Sequence, residues 1–298
     1  MQVKIRHLRA LDAVVRMGSF VAAAEALHLT STALSLAIRE LEEGLGFKVL
    51  ERTTRRLRLT DAGSGYLVRA QRVLAELDAA ERYASEVREG HTVVRIATTQ
   101  TIIATLLART LPVVHAAFPT IALQPLDVAA SGIGDALVDG QADLAIAVSL
   151  PAGEEFETSL FFSSRWCAYV ARGHAIARRR KLRWEELGTH ALYMTKSSNY
   201  LRLRAALGKD IDLPKVQEST TATAGMAMAS AGWGLAVFPA YAAPLAEVLG
   251  VVGVPIEVPA VPHELFIGVR RKATTSAPIH RIRDALAEAV RLGCQDLR

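Results

Sequence analysis

Apolar positions in the first 60 residues repeat at helical spacing three times, and then the period changes. Ile5, Leu8, Leu11 and Val15 recur at intervals of 3, 3 and 4, the stripe of an amphipathic helix that Gly18 ends. Ser19 has the side chain of an N-cap for a second, Ala-rich helix running to about His28. Thr30 or Ser31 caps a third, with Leu34, Ile38, Leu41 and Leu45 on one face. Only His28, Leu29 and Thr30 separate the second helix from the third, so the two must cross steeply, as in a helix-turn-helix. After Gly44 and Gly46 the spacing becomes an alternation at Phe47, Val49, Leu57 and Leu59. That predicts a hairpin tipped by Arg52-Thr53-Thr54-Arg55-Arg56.

A long helical pattern follows. Thr60 or Asp61 caps it and Gly90 stops it after about Glu89. Ala70, Val73, Leu77, Ala80, Ala84 and Val87 are spaced 3, 4, 3, 4 and 3, and Tyr66 extends the seam one step back. Such a stripe fits either packing within its own domain or a partner helix. Its regularity on a helix bridging two domains favours the partner, and hence a dimer. Residues 91–298 then alternate strand-like runs (93–98, 121–126, 144–148, 166–170, 191–194, 235–238 and 265–270) with helical ones (102–118, 133–139, 200–207, 221–231 and 279–292). This predicts α/β architecture with mostly parallel sheets.

Charge sharpens the N-terminal picture. Residues 47–60 hold five Lys+Arg (Lys48, Arg52, Arg55, Arg56, Arg58) against Glu51 alone. A basic wing beside a helix-turn-helix suits a phosphate backbone or a narrow minor groove. The third helix would enter the major groove, presenting Ser31, Thr32, Ser35 and Leu36, with Arg39 one turn on. The DNA-contacting candidates are therefore these five residues with Arg52, Thr53, Arg55 and Arg56. A basic hairpin is by itself an ordinary solvated edge. The order of the elements is what favours DNA.

The segment from Leu8 to Gly63 resembles the N-terminal domain of LysR-type transcriptional regulators. The matching marks are Leu-x-Ala-Leu at 8–11, GSFVAAAEALHLT, ALSxxIxxLEExLG, the Arg52 and Arg55 pair, and LTxAG ending at Gly63. The chain departs from the family pattern at Ser31, Thr32, Leu36 and Ala37. Looser matches follow in GQADLAI (140–146), GHAIA (173–177) and AGWGLAVFP (231–239). The resemblance implies an α/β chain with a winged helix-turn-helix at 1–60 and a linker helix at 61–90 that pairs two subunits. It further implies a periplasmic-binding-protein-like effector domain at 91–298, split into subdomain I (about 91–161 and 266–298) and subdomain II (about 162–265). The implied partners are double-stranded promoter DNA, a small-molecule effector, further copies of the chain as dimer and tetramer, and RNA polymerase.

In open α/β sheets, ligands sit at the carboxyl ends of strands, against helix N-termini that favour anions. Three such junctions are dense in hydroxyls: Thr98-Thr99-Gln100-Thr101, Thr195-Lys196-Ser197-Ser198-Asn199 and Ser219-Thr220-Thr221. Each of these positions matches a place where the resembled family lines its effector cleft. Ala129, Ser131 and Gly132 add backbone donors, and Lys196 either pairs with a carboxylate or is solvated. Any one Ser or Thr is an ordinary cap; the three junctions together point to a cleft for a small organic anion.

Other classes recede. The eight histidines are scattered, and no HExxH, GxSxG, GxGxxG or GxxxxGK[ST] occurs. Cys167 and Cys294 build neither a disulfide framework nor a zinc site, so neither metal nor cofactor is expected. The chain is 51% hydrophobic, yet no apolar run nears the roughly 20 residues of a membrane span. The opening MQVKIRHLRAL lacks a secretory core, which predicts a cytoplasmic protein. Arg178-Arg179-Arg180-Lys181 reads as a solvated loop or a second nucleic-acid patch. The competing reading is a solute-binding module whose N-terminal helices contact protein rather than DNA.

Overall fold

The computed structural model describes residues 3–53, 56–89, 92–195, 198–208, 211, 213, 216–271 and 276–297. The chain forms two compact units, Met1–Glu89 and Gly90–Arg298.

In the first unit, α1 (Ile5–Met17), α2 (Phe20–Ala26) and α3 (Ser31–Leu45) precede a two-stranded hairpin and α4 (Asp61–Glu89). The caps follow from side-chain chemistry. The Ser19 hydroxyl accepts from Ala22 N–H at 3.4 Å, and the Thr30 hydroxyl accepts from Ala33 N–H at 3.1 Å. Helix α2 ends at Ala26, short of the expected His28, because His28 turns left-handed at φ 54° and breaks the helical path. The bend between α2 and α3 is 101°. Leu8, Leu11, Leu34, Ile38 and Leu41 are buried as the spacing predicts, whereas Ile5 is 43% exposed and Val14, not Val15, is the fully buried residue at the end of α1. Strands β1 (Leu50–Thr53) and β2 (Arg56–Leu59) pair antiparallel, Leu50 opposite Leu59 and Glu51 opposite Arg58.

The second unit holds two sheets. The first takes β3 (Thr92–Thr98), β4 (Ile121–Asp127), β5 (Leu144–Ala147), β6 (Phe156–Ser164) and β13 (His263–Arg270), in the order β4-β3-β5-β13-β6. The second takes β7 (Trp166–Ala171), β8 (Leu182–Arg183), β9 (Leu192–Met194), β10 (Val216–Glu218), β11 (Leu235–Pro239) and β12 (Val251–Val258), in the order β10-β9-β11-β7-β12-β8. Both sheets are mixed, not mostly parallel. Strand β13 runs antiparallel to β5 and β6, and β7 runs antiparallel to β11 and β12.

The periodic pattern does not predict β6, β8, β10 or β12. Strands β8 and β10 are only two and three residues long. Strand β12 is interrupted by Gly253 and Pro255, and β6 exposes three consecutive residues. Gly253 is required there, since a Cβ would lie 2.8 Å from the Tyr169 ring. The missed strands carry the connections. The chain passes from the first sheet to the second at Arg165 and returns between Val258 and His263. The expected subdomain limits at 161/162 and 265/266 therefore fall inside β6 and β13. Both faces of each sheet are covered. The helix Ser276–Gly293 buries Ile279, Ile282, Leu286 and Val290 against the first sheet, and Ala222–Ser230 packs on the second.

Candidate functional site

Two surfaces collect the residues singled out by the sequence. On α3, Ser31, Thr32, Leu36 and Arg39 are exposed and Ser35 is half-buried. Leu36 is 50% exposed, so it does not fill the core of its own unit. Helix α3 is fixed at two points. Glu40 Oε2 takes Arg6 Nη2 at 2.8 Å and lies 2.9 Å from Nε2 of His7, tying α3 to α1. Glu42 is 9% exposed; its Oε1 accepts the N–H groups of Val49 (3.0 Å) and Leu50 (3.3 Å), while Oε2 meets Lys48 Nζ at 2.8 Å. Burial pushes the Glu42 pKa up, but the bonds from Lys48, Leu50 and Val49 prevail and hold it below the ordinary value. The first wing strand is thus anchored to α3.

At the same open end of the hairpin, the Thr60 hydroxyl donates to Lys48 O and accepts from Gly63 N–H, both at 2.8 Å. Thr60 therefore caps α4, not Asp61. A Cβ at Gly63 would lie 2.1 Å from Val49 O, so only glycine allows this approach. Arg52 and Thr53 lie on β1 and Arg56 on β2; Arg55 lies outside the described residues.

Along α4 the expected seam divides. Ala70 is 3% exposed within its own chain, so it is not open to a partner helix. Leu67 beside it joins the core of the same unit, and α1 reaches α4 through Gln71 Nε2 on Asp12 Oδ1 at 2.9 Å. Val73 is 52% exposed, Ala80 and Ala84 are exposed, and Leu77 is half-buried. Nothing is described of the Val87 side chain.

In the second unit, a cleft of ≈ 160 Å³ opens between the two sheets. Thr99, Gln100, Thr101, Thr195, Thr220 and Thr221 line it, bringing the three hydroxyl-rich junctions together. Thr98 does not belong to it: the residue is fully buried, and its hydroxyl donates to Ile146 O at 2.8 Å across the first sheet. Ser131 is not in the lining, although Ala129 and Ala130 are. Lys196 and Ser197 lie outside the described residues, and Ser198 starts the helix Ser198–Leu207. Two helices begin at the cleft. Thr99 precedes Gln100–Ile102, which continues through a π-turn at Ile103–Leu107 into Ala108–Ala117, and no side chain caps this start. Thr221 caps Ala222–Ser230, its hydroxyl accepting from Ala224 N–H at 3.1 Å.

The periodic pattern does not single out the aromatic side of the cleft. Trp166 opens β7 and His263 opens β13, each just after a crossover, and their ring centroids are 5.0 Å apart. The Tyr241 ring lies 5.4 Å from that of His263. These strands begin at the cleft because they run antiparallel to their neighbours, so searching only for strand C-termini passes over them. The same search does contain the signal for Asp127 and Ser149, which end β4 and follow β5. Burial pushes the His263 pKa down to about 3, so the ring is neutral at ordinary pH. Asp127 is the only charged side chain among the described lining residues.

Residues 5–64 match the family of bacterial regulatory helix-turn-helix proteins of the LysR type, and residues 88–291 match the LysR substrate-binding domain. The chain is a LysR-type transcriptional regulator. Its family is one of DNA-binding regulators with an effector-binding domain, not of enzymes. The regulator is 29% identical over 282 residues to the uncharacterized HTH-type transcriptional regulator YfeR of Shigella flexneri, covering 91% of this chain and 89% of that one. It is 28% identical over 248 residues to the hydrogen peroxide-inducible genes activator of Dickeya chrysanthemi, covering 81% of each. Full-length CbnR complexed with its target DNA shares the fold, with a TM-score of 0.68 at 20% identity, covering 97% of this chain and 99% of that one. Among the described residues no single helix is long and apolar enough to cross a membrane.

Proposed function

We propose that this regulator is switched by a small organic anion held in the cleft between its two sheets. The observation that carries the reading is the convergence of Thr99, Thr101, Thr195, Thr220 and Thr221 with two helix starts on one cavity. Free N–H groups at helix starts and hydroxyl donors can hold a negative charge without a lysine or arginine when that charge lies at the Thr99 and Thr221 helix starts and away from the Asp127 carboxylate of the same lining. The volume suits a molecule about the size of a benzene ring with one substituent, and Trp166, Tyr241 and His263 offer it a flat apolar wall.

Ligand binding favours one angle between the sheets, between which the chain crosses twice, at Arg165 and at residues 259–262. Paired regulators then present their α3 helices and 52–56 wings to a dyad promoter site with altered spacing, and RNA polymerase recruitment changes with it. Exposed Val73, Ala80 and Ala84 with half-buried Leu77 form the face proposed to pair two copies, with tetramers assembled from such dimers. Work on promoter DNA assigns the regulator to the cytoplasm.

Thermal melting against a panel of small carboxylates tests the reading. At least one should raise Tm in wild type, and Thr99→Val with Thr221→Val should abolish that rise. If no carboxylate moves Tm, the anion reading fails.

A response to hydrogen peroxide, the role in the name of the Dickeya chrysanthemi relative, has no support from a reactive thiol here. Cys167 is 5% exposed with its pKa pushed up to about 11 by burial, and burial also raises that of the fully buried Cys294. A peroxide-reactive cysteine needs the opposite, an accessible thiolate.

A further inference from the structure

The loop between β7 and β8 has no part in the cleft or in the helix-turn-helix unit. Residues 91–298 hold 21 Lys+Arg and 18 Asp+Glu; six of those cations fall within 172–183, where there is no acid at all. Without Arg172, Arg178, Arg179, Arg180, Lys181 and Arg183 the same stretch holds 15 cations to 18 acids. All six are exposed. The basicity of this half of the chain is concentrated at one place.

The loop is built and not a loose tail. The His174 Nδ1 accepts Ile176 N–H at 3.2 Å and caps the 3-10 turn Ala175–Arg178. Ile176 and Ala177 pack against the core of the second sheet, and Leu182, 2% exposed, anchors the far end on β12. Three cations are neutralised locally: Arg179 by Glu186 (2.9 Å), Lys181 by Glu257 (3.3 Å) and Arg183 by Glu185 (3.1 Å). Among the described residues, Arg172, Arg178 and Arg180 have no carboxylate within ion-pair distance.

Strand β7 starts at the cleft with Trp166 and ends at Ala171, so Arg172 leaves the sheet roughly 17–20 Å from the cleft end at about 3.3 Å per residue. The loop then returns along the sheet edge to Leu182, which pairs with Ile256 and so lies level with Trp166, two strands away.

We infer that this loop is a second DNA contact, holding the phosphate backbone of duplex outside the segment read by α3 and the wing. The chemistry selects that partner. Five of the six cations are arginines, whose planar guanidinium matches phosphate oxygens. No Phe, Tyr or Trp lies within 172–183 to stack an unpaired base, and its one imidazole, His174, is engaged by Ile176 N–H and packs against the His190 ring. Ile176 and Ala177 pack inward, so Ala175 is the one exposed apolar side chain, too small to anchor a protein partner.

The test uses the full-length protein and random-sequence duplexes of about 25 and about 120 base pairs, the shorter spanning only two half-sites one turn apart. Binding is measured across a salt series for wild type, R172A/R178A/R180A and R172K/R178K/R180K. On the long duplex the alanine variant should lose up to about 3 from the slope of log K against log salt, per protomer in contact. It should match wild type on the short duplex and in Tm, and the lysine variant should restore the long-duplex slope. An unchanged long-duplex slope, an equal loss on both lengths, or no rescue by lysine would each overturn the assignment.

Discussion

The Glu42 carboxylate accepts two backbone N–H groups of the wing strand and takes the Lys48 ammonium, so one side chain sets where the hairpin leaves α3. Replacing it with alanine leaves two buried donors unsatisfied, at about 1–3 kcal/mol each. Glu42→Ala should lower unfolding stability by about 2–4 kcal/mol in a denaturant titration and weaken binding to every duplex through the displaced wing. The pH dependence has a definite sign. A carboxyl whose folded pKa is depressed gives stability in full above the ordinary carboxylate range and loses it as pH falls through that range. The Tm gap between wild type and Glu42→Gln should therefore be widest near pH 7 and narrow below about pH 4. At the DNA face, Arg56→Ala should weaken all sequences alike. Ser35→Ala should instead alter sequence preference in a binding selection, and uniform losses would remove its base-reading role. Neither Glu42 nor Gly63 is distinguishable from a surface acid or a loop glycine by periodicity; their roles depend on what the hairpin brings against them.

Helix α4 is the element whose pattern is only half informative. Its apolar positions read as one heptad seam, yet Ala70 is buried in its own unit while Val73 stands 52% exposed three residues on. An a/d repeat records which positions are apolar, not which neighbour covers them, and α1 covers the first turns. The exposed remainder makes the prediction specific. Val73→Asp with Leu77→Asp should yield monomers at micromolar concentration in sedimentation velocity, with helical circular dichroism retained. Dimers of unchanged affinity would locate the pairing surface elsewhere. The strands divide in a similar way. Runs such as Leu144–Ala147 and Leu235–Pro239 are apolar throughout and fully buried, and composition finds them. Strands β6 and β12 mix exposed residues, Gly and Pro, and their strand character comes from pairing with β13 and β7.

For the whole molecule, the decisive arrangement is two mixed sheets meeting at a cleft. That placement accounts for the thiols as well: Cys167 faces the core on one side of the second sheet, and Cys294 closes the core behind the first. Both should stay unreactive toward a thiol reagent such as DTNB in the native state and titrate fully on unfolding, with DNA affinity unaffected by hydrogen peroxide. Fast labelling of either native thiol would contradict the buried placement.

Periodicity, caps and turn residues are local, and for that reason the order of the elements, the steep α2–α3 crossing, the linker helix and the family are determined by the sequence itself. The hydroxyl-rich junctions were visible for the same reason, since each is a strand end running into a helix start. What only the tertiary structure decides is direction and company. Antiparallel pairing puts Trp166 and His263 at the cleft, an inter-strand hydrogen bond withdraws Thr98 from it, and α1 takes Ala70 from the seam. Each is a contact between residues far apart in the chain, and no local spacing encodes which distant backbone a side chain will meet.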